Sequence, residues 1–428
     1  MSTPNRRLVI VVRADPVICG HSGEARNLAE VALTRGYDDV RIVTWPIECL
    51  QASGLPLKPL ESVMPYSAGI TVERPDPVGE YKIPDARYIA GIIGRLVELF
   101  TDGVPTVCMS LYLSPHTHAV AEAMRVARGT GLPVNVTTVA EAVGSDVTDI
   151  VRKSVASGRL GAAAHVLTTY LSQDICVAVS EYTKEVIVAA AESVDEGYGT
   201  KFAEQARERV EISYPAIDTS AFLDLDPDEV RKRVEARGLQ VGEYVFYLSR
   251  LAKAKAVDDL IEGFSRSRAA DGRTLVIAGR GPEADALREL AKTSGHSANI
   301  RFLDDVGDEE KPFLLAGCAA YVFPSKPMPG FVETFGIALV EKMLVGGGPV
   351  ISTTTGGIGE AIGDTALEIP TESPDAIAKH LDYVLADMTE VERDAMAAKA
   401  LDHAMQFDRN NVFDRLFARV DDFEAARA

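Results

Sequence analysis

Cysteine is scarce and scattered. Five residues (Cys19, Cys49, Cys108, Cys176 and Cys318) occur in 428, with no CxxC or other close pairing. That spacing excludes a disulfide framework and a zinc site, and the thiols read as reduced core residues of a cytoplasmic protein. Positive charge is also short, 44 Lys+Arg against 63 Asp+Glu, for a formal net charge of −19. So acidic a surface offers no general face to nucleic acid or to an anionic membrane, although a small basic cleft remains open to it. Long apolar runs are missing too. The opening MSTPNRRLVIVVRADP holds a five-residue run, too short for a signal-peptide core. Nothing later approaches the roughly 18 apolar residues that read as a bilayer span. These absences predict a soluble, cytoplasmic protein without stable membrane association. Neither a solenoid-scale repeat nor a low-complexity segment is found.

What is present is globular. Hydrophobic residues make up 46% and charged residues 25%, and the length suits about two or three domains. Short β-branched apolar runs, turns and amphipathic stretches alternate along the chain. The runs are LVIVV (8–12), VRIVTW (40–45), PTVCMSLY (105–112), PVNVTTV (133–139) and ICVAVS (175–180), then YVFYLS (244–249), TLVIAG (274–279), IRFLDDV (300–306), AYVFPS (320–325) and PVISTT (349–354). Helical patterns lie between them. Runs that are apolar throughout suit parallel strands covered on both faces, and alternation with helices implies right-handed βαβ crossovers. The expectation is an α/β protein of two doubly wound, Rossmann-like domains, 1–218 and 219–408. A helix over 409–428 should return to the first domain, with Phe407, Val412, Leu416, Val420 and Phe423 near helical spacing. The proline-rich stretch 46–84 reads as loops and short strands, and 141–174 as a helical insertion. Two such sheets facing each other would place their ligand loops on a deep shared crevice.

The densest chemistry lies in GFVETFGIALVEKMLVGGGPVI, where seven residues separate Glu333 from Glu341 and Gly336 precedes a helix. A glycine at a helix N-terminus presents backbone N–H groups and lets a polar ligand come close. Glu333 could accept hydrogen bonds from sugar hydroxyls and Glu341 could reach a ribose diol. In SRLAKAKAVDDLIEGF, Arg250 ends a strand and Lys255 follows five residues on, before a helix. Two cations there are suited to neutralise a diphosphate leaving group. AGRGPEADAL (278–287) and TTTGGIGE (353–360) add two glycine-rich loops.

Taken in their order along the chain, these segments resemble the retaining, nucleotide-sugar-dependent glycosyltransferases of family 4, which have the two-domain GT-B architecture. The resemblance is clear over about 244–370 and weaker in the N-terminal half. It implies that Arg250 and Lys255 bind the donor diphosphate, that Glu333 contacts the donor sugar and that Glu341 contacts the ribose. It also implies that backbone amides around Phe335, Gly336 and Ile337 hold sugar and phosphate oxygens. Ala256 departs from the pattern, since glycine usually follows the lysine. The N-terminal loop VICGHSGEARNLAEVAL is similar to that of sucrose-phosphate-synthase-like members. Ser22 and Gly23 are therefore expected at the donor, Glu24 and Arg26 at the acceptor. Ser22 also suits a helix N-cap with Glu24 in its first turn. His116 and His118 open a helix, where i, i+2 spacing points to different faces and argues against a metal pair. In the family a histidine of this region lies beside the transferred sugar, and either residue is a candidate. His165, His296, His380 and His403 receive no role. AEAVGSD (140–146) is the nearest match to a family segment that binds sugar phosphates, with Ser145 in place of its arginine. Arg26, Arg87, Arg152 and Lys153 remain candidates for an anionic acceptor.

The resulting expectation is a hexosyltransferase moving glucose or mannose from a UDP- or GDP-hexose to a small polar acceptor, in the style of compatible-solute synthesis. No cofactor is required, and no essential divalent metal is expected because basic side chains do the neutralising. A homo-oligomer is left open. Alternatives on the same architecture are a nucleotide-sugar epimerase, a phosphorylase, or a catalytically inactive nucleotide-sugar-binding protein.

Overall fold

The structure, a computed structural model, describes residues 6–79, 84–144 and 146–427. Ser145 lies outside the described residues. The chain forms two compact units: the residues up to Ile217 together with those from Arg409 onward, and Asp218–Asp408. Each is a doubly wound, wholly parallel α/β layer structure.

The first unit is built on seven strands: β1 (Arg7–Val11), β2 (Asp39–Val43), β3 (Ile70–Glu73), β4 (Thr106–Leu111), β5 (Val136–Ala142), β6 (Ile175–Ala178) and β7 (Val210–Ile212), in the order β3-β2-β1-β4-β5-β6-β7. β1 pairs in parallel with both β2 and β4, Val9 facing Arg41 on one side and Cys108 on the other. Every residue of β1, β4 and β5 is buried, as strands covered by helices on both faces must be. The chain winds outward from β1 to β3, returns to the centre, and continues the other way from β4. The β1/β4 junction is therefore the switch point of this sheet, where loops at the strand C-termini diverge and leave a crevice.

The second unit repeats the plan with six strands: β8 (Tyr244–Leu248), β9 (Thr274–Ala278), β10 (Ile300–Leu303), β11 (Ala320–Phe323), β12 (Val350–Ser352) and β13 (Leu367–Glu368), in the order β10-β9-β8-β11-β12-β13. Its switch point falls between β8 and β11.

Ten strands are legible as apolar runs, and the described residues contain thirteen. The three others, β3, β7 and β13, are all sheet edges. An edge strand is paired and covered on one side less than a central one, so ITVE, VEI and LE carry polar residues and remain partly exposed. The stretch 46–84 thus contributes a full strand of the sheet as well as loops.

The C-terminal helix, Arg409–Arg427, packs on the first unit. Val412, Phe413, Leu416, Phe417 and Val420 are buried in one cluster with Leu28, Ala29, Ala32 and Tyr37. The Phe413 and Phe417 rings stack at 3.8 Å, and Tyr37 meets Phe417 edge-on. Each such side chain contributes about 1.5–3 kcal/mol by leaving water. Arg35 clamps the outer face with two hydrogen bonds to Asp414. Phe407, grouped with this helix by its spacing, precedes it and belongs to the second unit. There its ring lies 5.0 Å from that of Phe335.

Candidate functional site

In the second unit the candidate residues gather at the switch point. Arg250 and Lys255 follow β8, and Glu333 lies beyond β11. Lys255 is 6% exposed, its ammonium donates to the Glu333 carboxylate, and it also faces the Phe323 ring at 4.7 Å. Arg250 is exposed and reaches over the Phe331 ring at 5.9 Å. Lys255 shares that ring at 5.7 Å. One cation is thus held by a carboxylate, and the other has no carboxylate partner among the described residues. Glu341 lies in the Ile337–Leu344 helix and is engaged by Lys311 at 2.5 Å. Burial pushes the Lys311 ammonium down, but the Glu341 charge outweighs this and raises it above its ordinary value. Lys311 and Phe331 carry no spacing signal in the sequence.

Gly336 adopts φ 108° and begins the Ile337–Leu344 helix, which has no side-chain cap. The first N–H groups of such a helix have no partner within it. The Phe335 side chain turns away into the core toward Phe407. Ala256 adopts φ 49°, a left-handed conformation that costs a residue with a Cβ roughly 1–2 kcal/mol. Glycine is the unstrained choice there, and alanine keeps the turn.

The glycine-rich loops are explained by close backbone approach. A Cβ on Gly281 would lie 2.1 Å from the Leu251 carbonyl oxygen, and one on Gly357 would lie 1.9 Å from that of Thr334. The Gly357 N–H also donates to the Glu333 carbonyl at 2.9 Å. The loop after β12 therefore supports the backbone that carries Glu333. Gly357→Ala should cost about 1–3 kcal/mol, as an overpacked core site does. It should also displace Glu333. A thermal melt indistinguishable from that of the parent would rule this out.

In the first unit the N-terminal loop differs from expectation. The helix runs Gly20–Ala32 with Cys19 at its N-cap and no side-chain cap, so Ser22 and Glu24 lie inside it and Ser22 is not the N-cap. The Ser22 hydroxyl is buried and has no hydrogen-bond partner among the described residues, while Gly23 faces open space. Arg26 is committed locally. It donates to Asp15 at 2.9 Å and to the carbonyls of Met64 and Pro65, with its guanidinium 3.6 Å from the Tyr66 ring centre. Glu24 is 3% exposed and accepts from the Ala216 N–H at 3.3 Å. Its carboxyl meets that of Glu141 on β5, which is fully buried. Burial, and then the neighbouring carboxyl, push Glu141 well above the carboxylate range. Burial pushes Glu24 up to about 7.

The two candidate histidines are separated. His118 lies against His165 with ring centres 5.0 Å apart and is lowered by burial and by that neighbour. His116 sits at the β1/β4 switch point, 1% exposed, edge-on to Trp45 at 4.7 Å and to Tyr112 at 5.7 Å. Burial, then Arg13 and His21, hold it well below its ordinary value, hence neutral. Arg13, His21, Tyr112 and Glu141 have no motif signal. Arg13 directly after the first buried strand is the one hint the sequence offers. Among the described residues no group of three or more His, Cys, Asp or Glu could hold a metal ion, and no helix is long and apolar enough to cross a membrane.

Solved structures of other proteins share this fold. A structure of the Anabaena protein HepE in complex with UDP and glucose aligns over 97% of this chain and 99% of that one, with TM-score 0.68 and 17% identity. Sucrose-phosphate synthase from Thermosynechococcus elongatus aligns over 98% and 100%, with TM-score 0.67 and 16% identity. The fold is GT-B, two Rossmann-like units. Residues 233–402, within the second unit, match the family described as Glycosyl transferases group 1. The chain is 28% identical over 200 residues (45% of it, 49% of the relative) to O-antigen chain mannosyltransferase B of Escherichia coli. It is 28% identical over 207 residues (46% and 41%) to mannosylfructose-phosphate synthase of Agrobacterium fabrum. It spans about half the length of the curated relatives it matches.

Proposed function

We propose that the protein is a retaining hexosyltransferase that moves glucose or mannose from a UDP- or GDP-sugar to a small polar acceptor, giving an α-glycosidic product. The observation that carries this reading is the arrangement of Arg250, Lys255 and Glu333 at the β8/β11 switch point of the second unit, in the stretch that matches the group 1 family. A Mycobacterium tuberculosis relative is a GDP-mannose-dependent mannosyltransferase, and HepE has been solved in complex with UDP-glucose.

The donor diphosphate takes the Lys255 ammonium from Glu333, and the freed carboxylate turns to the sugar hydroxyls. Arg250 neutralises the second phosphate, and the N–H groups beginning at Gly336 and Ile337 receive developing negative charge. Glu341, held by Lys311, reaches the ribose diol. In the first unit, His116 takes the place beside the reacting groups and His118 does not. Ser22 and Gly23 serve the donor, and Glu24 bounds the acceptor pocket. Because cations neutralise the leaving group, transfer should survive EDTA.

The test is a thermal-shift screen of UDP-, GDP- and ADP-sugars on the full chain, followed by product analysis with the best donor. One donor should raise the melting temperature by several degrees and yield an α-linked product on an acceptor panel. A donor that binds but gives neither transfer nor hydrolysis would favour a binding protein. Acceptor-free conversion of the sugar would favour an epimerase.

A further inference from the structure

The switch point of the first unit brings three basic side chains around one aromatic ring. Arg13 follows β1, His21 lies in the first turn of the Gly20–Ala32 helix, and Tyr112 and His116 follow β4. The Arg13 guanidinium lies over the Tyr112 ring at 4.8 Å, His21 is 6.2 Å from that ring and His116 5.7 Å. Among the described residues Arg13 makes no side-chain hydrogen bond and no ion pair, in a protein that carries 19 more acidic than basic groups. Both ring nitrogens of His116 are buried and have no hydrogen-bond partner among the described residues. A buried polar group ordinarily finds one, because leaving it unpaired costs about 1–3 kcal/mol. Tyr112, a non-glycine residue at φ 102°, is held in a strained conformation of the kind that accumulates at ligand sites.

The cluster carries one fixed positive charge, that of Arg13. Burial followed by Arg13 lowers His21 to about 4, so the imidazoles are neutral donors beside a fixed cation. The adjacent helix begins without a side-chain cap, and its N-terminal N–H groups favour negative charge. Acidic side chains that could have filled the role are engaged elsewhere: Asp15 by Arg26, and Asp146 by the N–H groups of Leu113 and Gly144. Among the described residues no carboxylate is paired with Arg13, so the cluster is open to an oxyanion from outside the chain.

We propose that Arg13 and His21, with one ring nitrogen of His116, bind an oxyanion of the acceptor, a carboxylate or a phosphate monoester. This rests on the glycosyltransferase reading and narrows its acceptor from polar to anionic. It also moves the anion contact away from Arg26, which is committed to its own loop. Arg13 is then the specificity-determining residue. A guanidinium presents two parallel N–H donors to a planar carboxylate or a phosphate edge, which an ammonium does not.

The experiment is calorimetric titration of the full chain with inorganic phosphate, with D-glycerate and with the neutral control glycerol. Each titration is run with and without saturating nucleoside diphosphate. At least one anion should bind saturably and at least about tenfold more tightly than glycerol, and the two anion arms distinguish phosphate from carboxylate. Arg13→Gln should remove that preference, Arg13→Lys should keep part of it, and His21→Gln should weaken it several-fold. A melting temperature close to the parent's identifies variants that are folded and informative. Equal affinity in Arg13→Gln, no saturable binding of either anion, or displacement of the anion by the nucleotide would overturn the proposal. The last outcome would give the pocket to the donor. Failure of nucleotide sugars to bind, with Arg13-dependent anion binding intact, would instead strike the glycosyltransferase reading.

Discussion

Arg250→Ala should lower transfer by about 100-fold or more, the loss typical of removing one preorganised contact to developing charge. The variant should melt close to the parent, because Arg250 is exposed and has no carboxylate partner among the described residues. Lys255→Met should lose a similar factor in transfer and stability with it. Its ammonium and the Glu333 carboxylate are only 8% and 16% exposed as side chains. Removing one member of a buried pair costs about 3–5 kcal/mol because the other charge is stranded. The double variant Lys255→Met/Glu333→Gln should therefore recover much of the stability and none of the transfer. Measured kcat/KM and melting temperature separate the two roles. Near-normal kcat/KM in Arg250→Ala would sink the diphosphate assignment.

The second large effect concerns Glu24 and Glu141. Burial raises Glu24 from an ordinary 4.5 to about 7, so the folded protein holds its carboxyl neutral where the unfolded chain ionises it. The folded state binds the extra proton, and the stability this group contributes is complete below about pH 4.5. It is lost as pH rises through about 7. At about 1.4 kcal/mol per unit, the loss is about 3 kcal/mol. Glu24→Gln carries a neutral amide at every pH, so it should be more stable than the parent at pH 8, by several degrees in melting temperature. Near pH 5 the two should be similar. A variant that melts below the parent at pH 8 would show that the pair is not held neutral by burial.

Much of this molecule is legible in its residue order alone. β1, β4 and β8 read as apolar runs because central strands of parallel sheets are buried on both faces, and burial favours apolar side chains, with Arg7, Thr106 and Ser110 as buried polar exceptions. Arg250, Lys255 and Glu333 are legible because each sits at a fixed short distance from such a run. The edge strands are not, since a half-covered strand tolerates Thr, Glu and other polar residues. Nor is the fate of Arg26, whose partners Met64 and Pro65 come from a proline-rich loop without a period. Phe407 misleads because its spacing fits the last helix while its ring packs in the other unit.

The sequence by itself determined the alternation of strand and helix, the glycine turns and the positions of Arg250, Lys255 and Glu333 after their strands, because these depend on local spacing and on the hydrophobic period. Only the tertiary structure decided which strands are neighbours. Pairing β1 with β4 closes about a hundred residues of chain and places Arg13 and His21 beside Tyr112 and His116. Pairing β4 with β5 brings Glu141 into the same unit's core, against Glu24. Such contacts arise from strand order, which depends on the packing free energy of the whole sheet and leaves no mark at any single spacing along the chain.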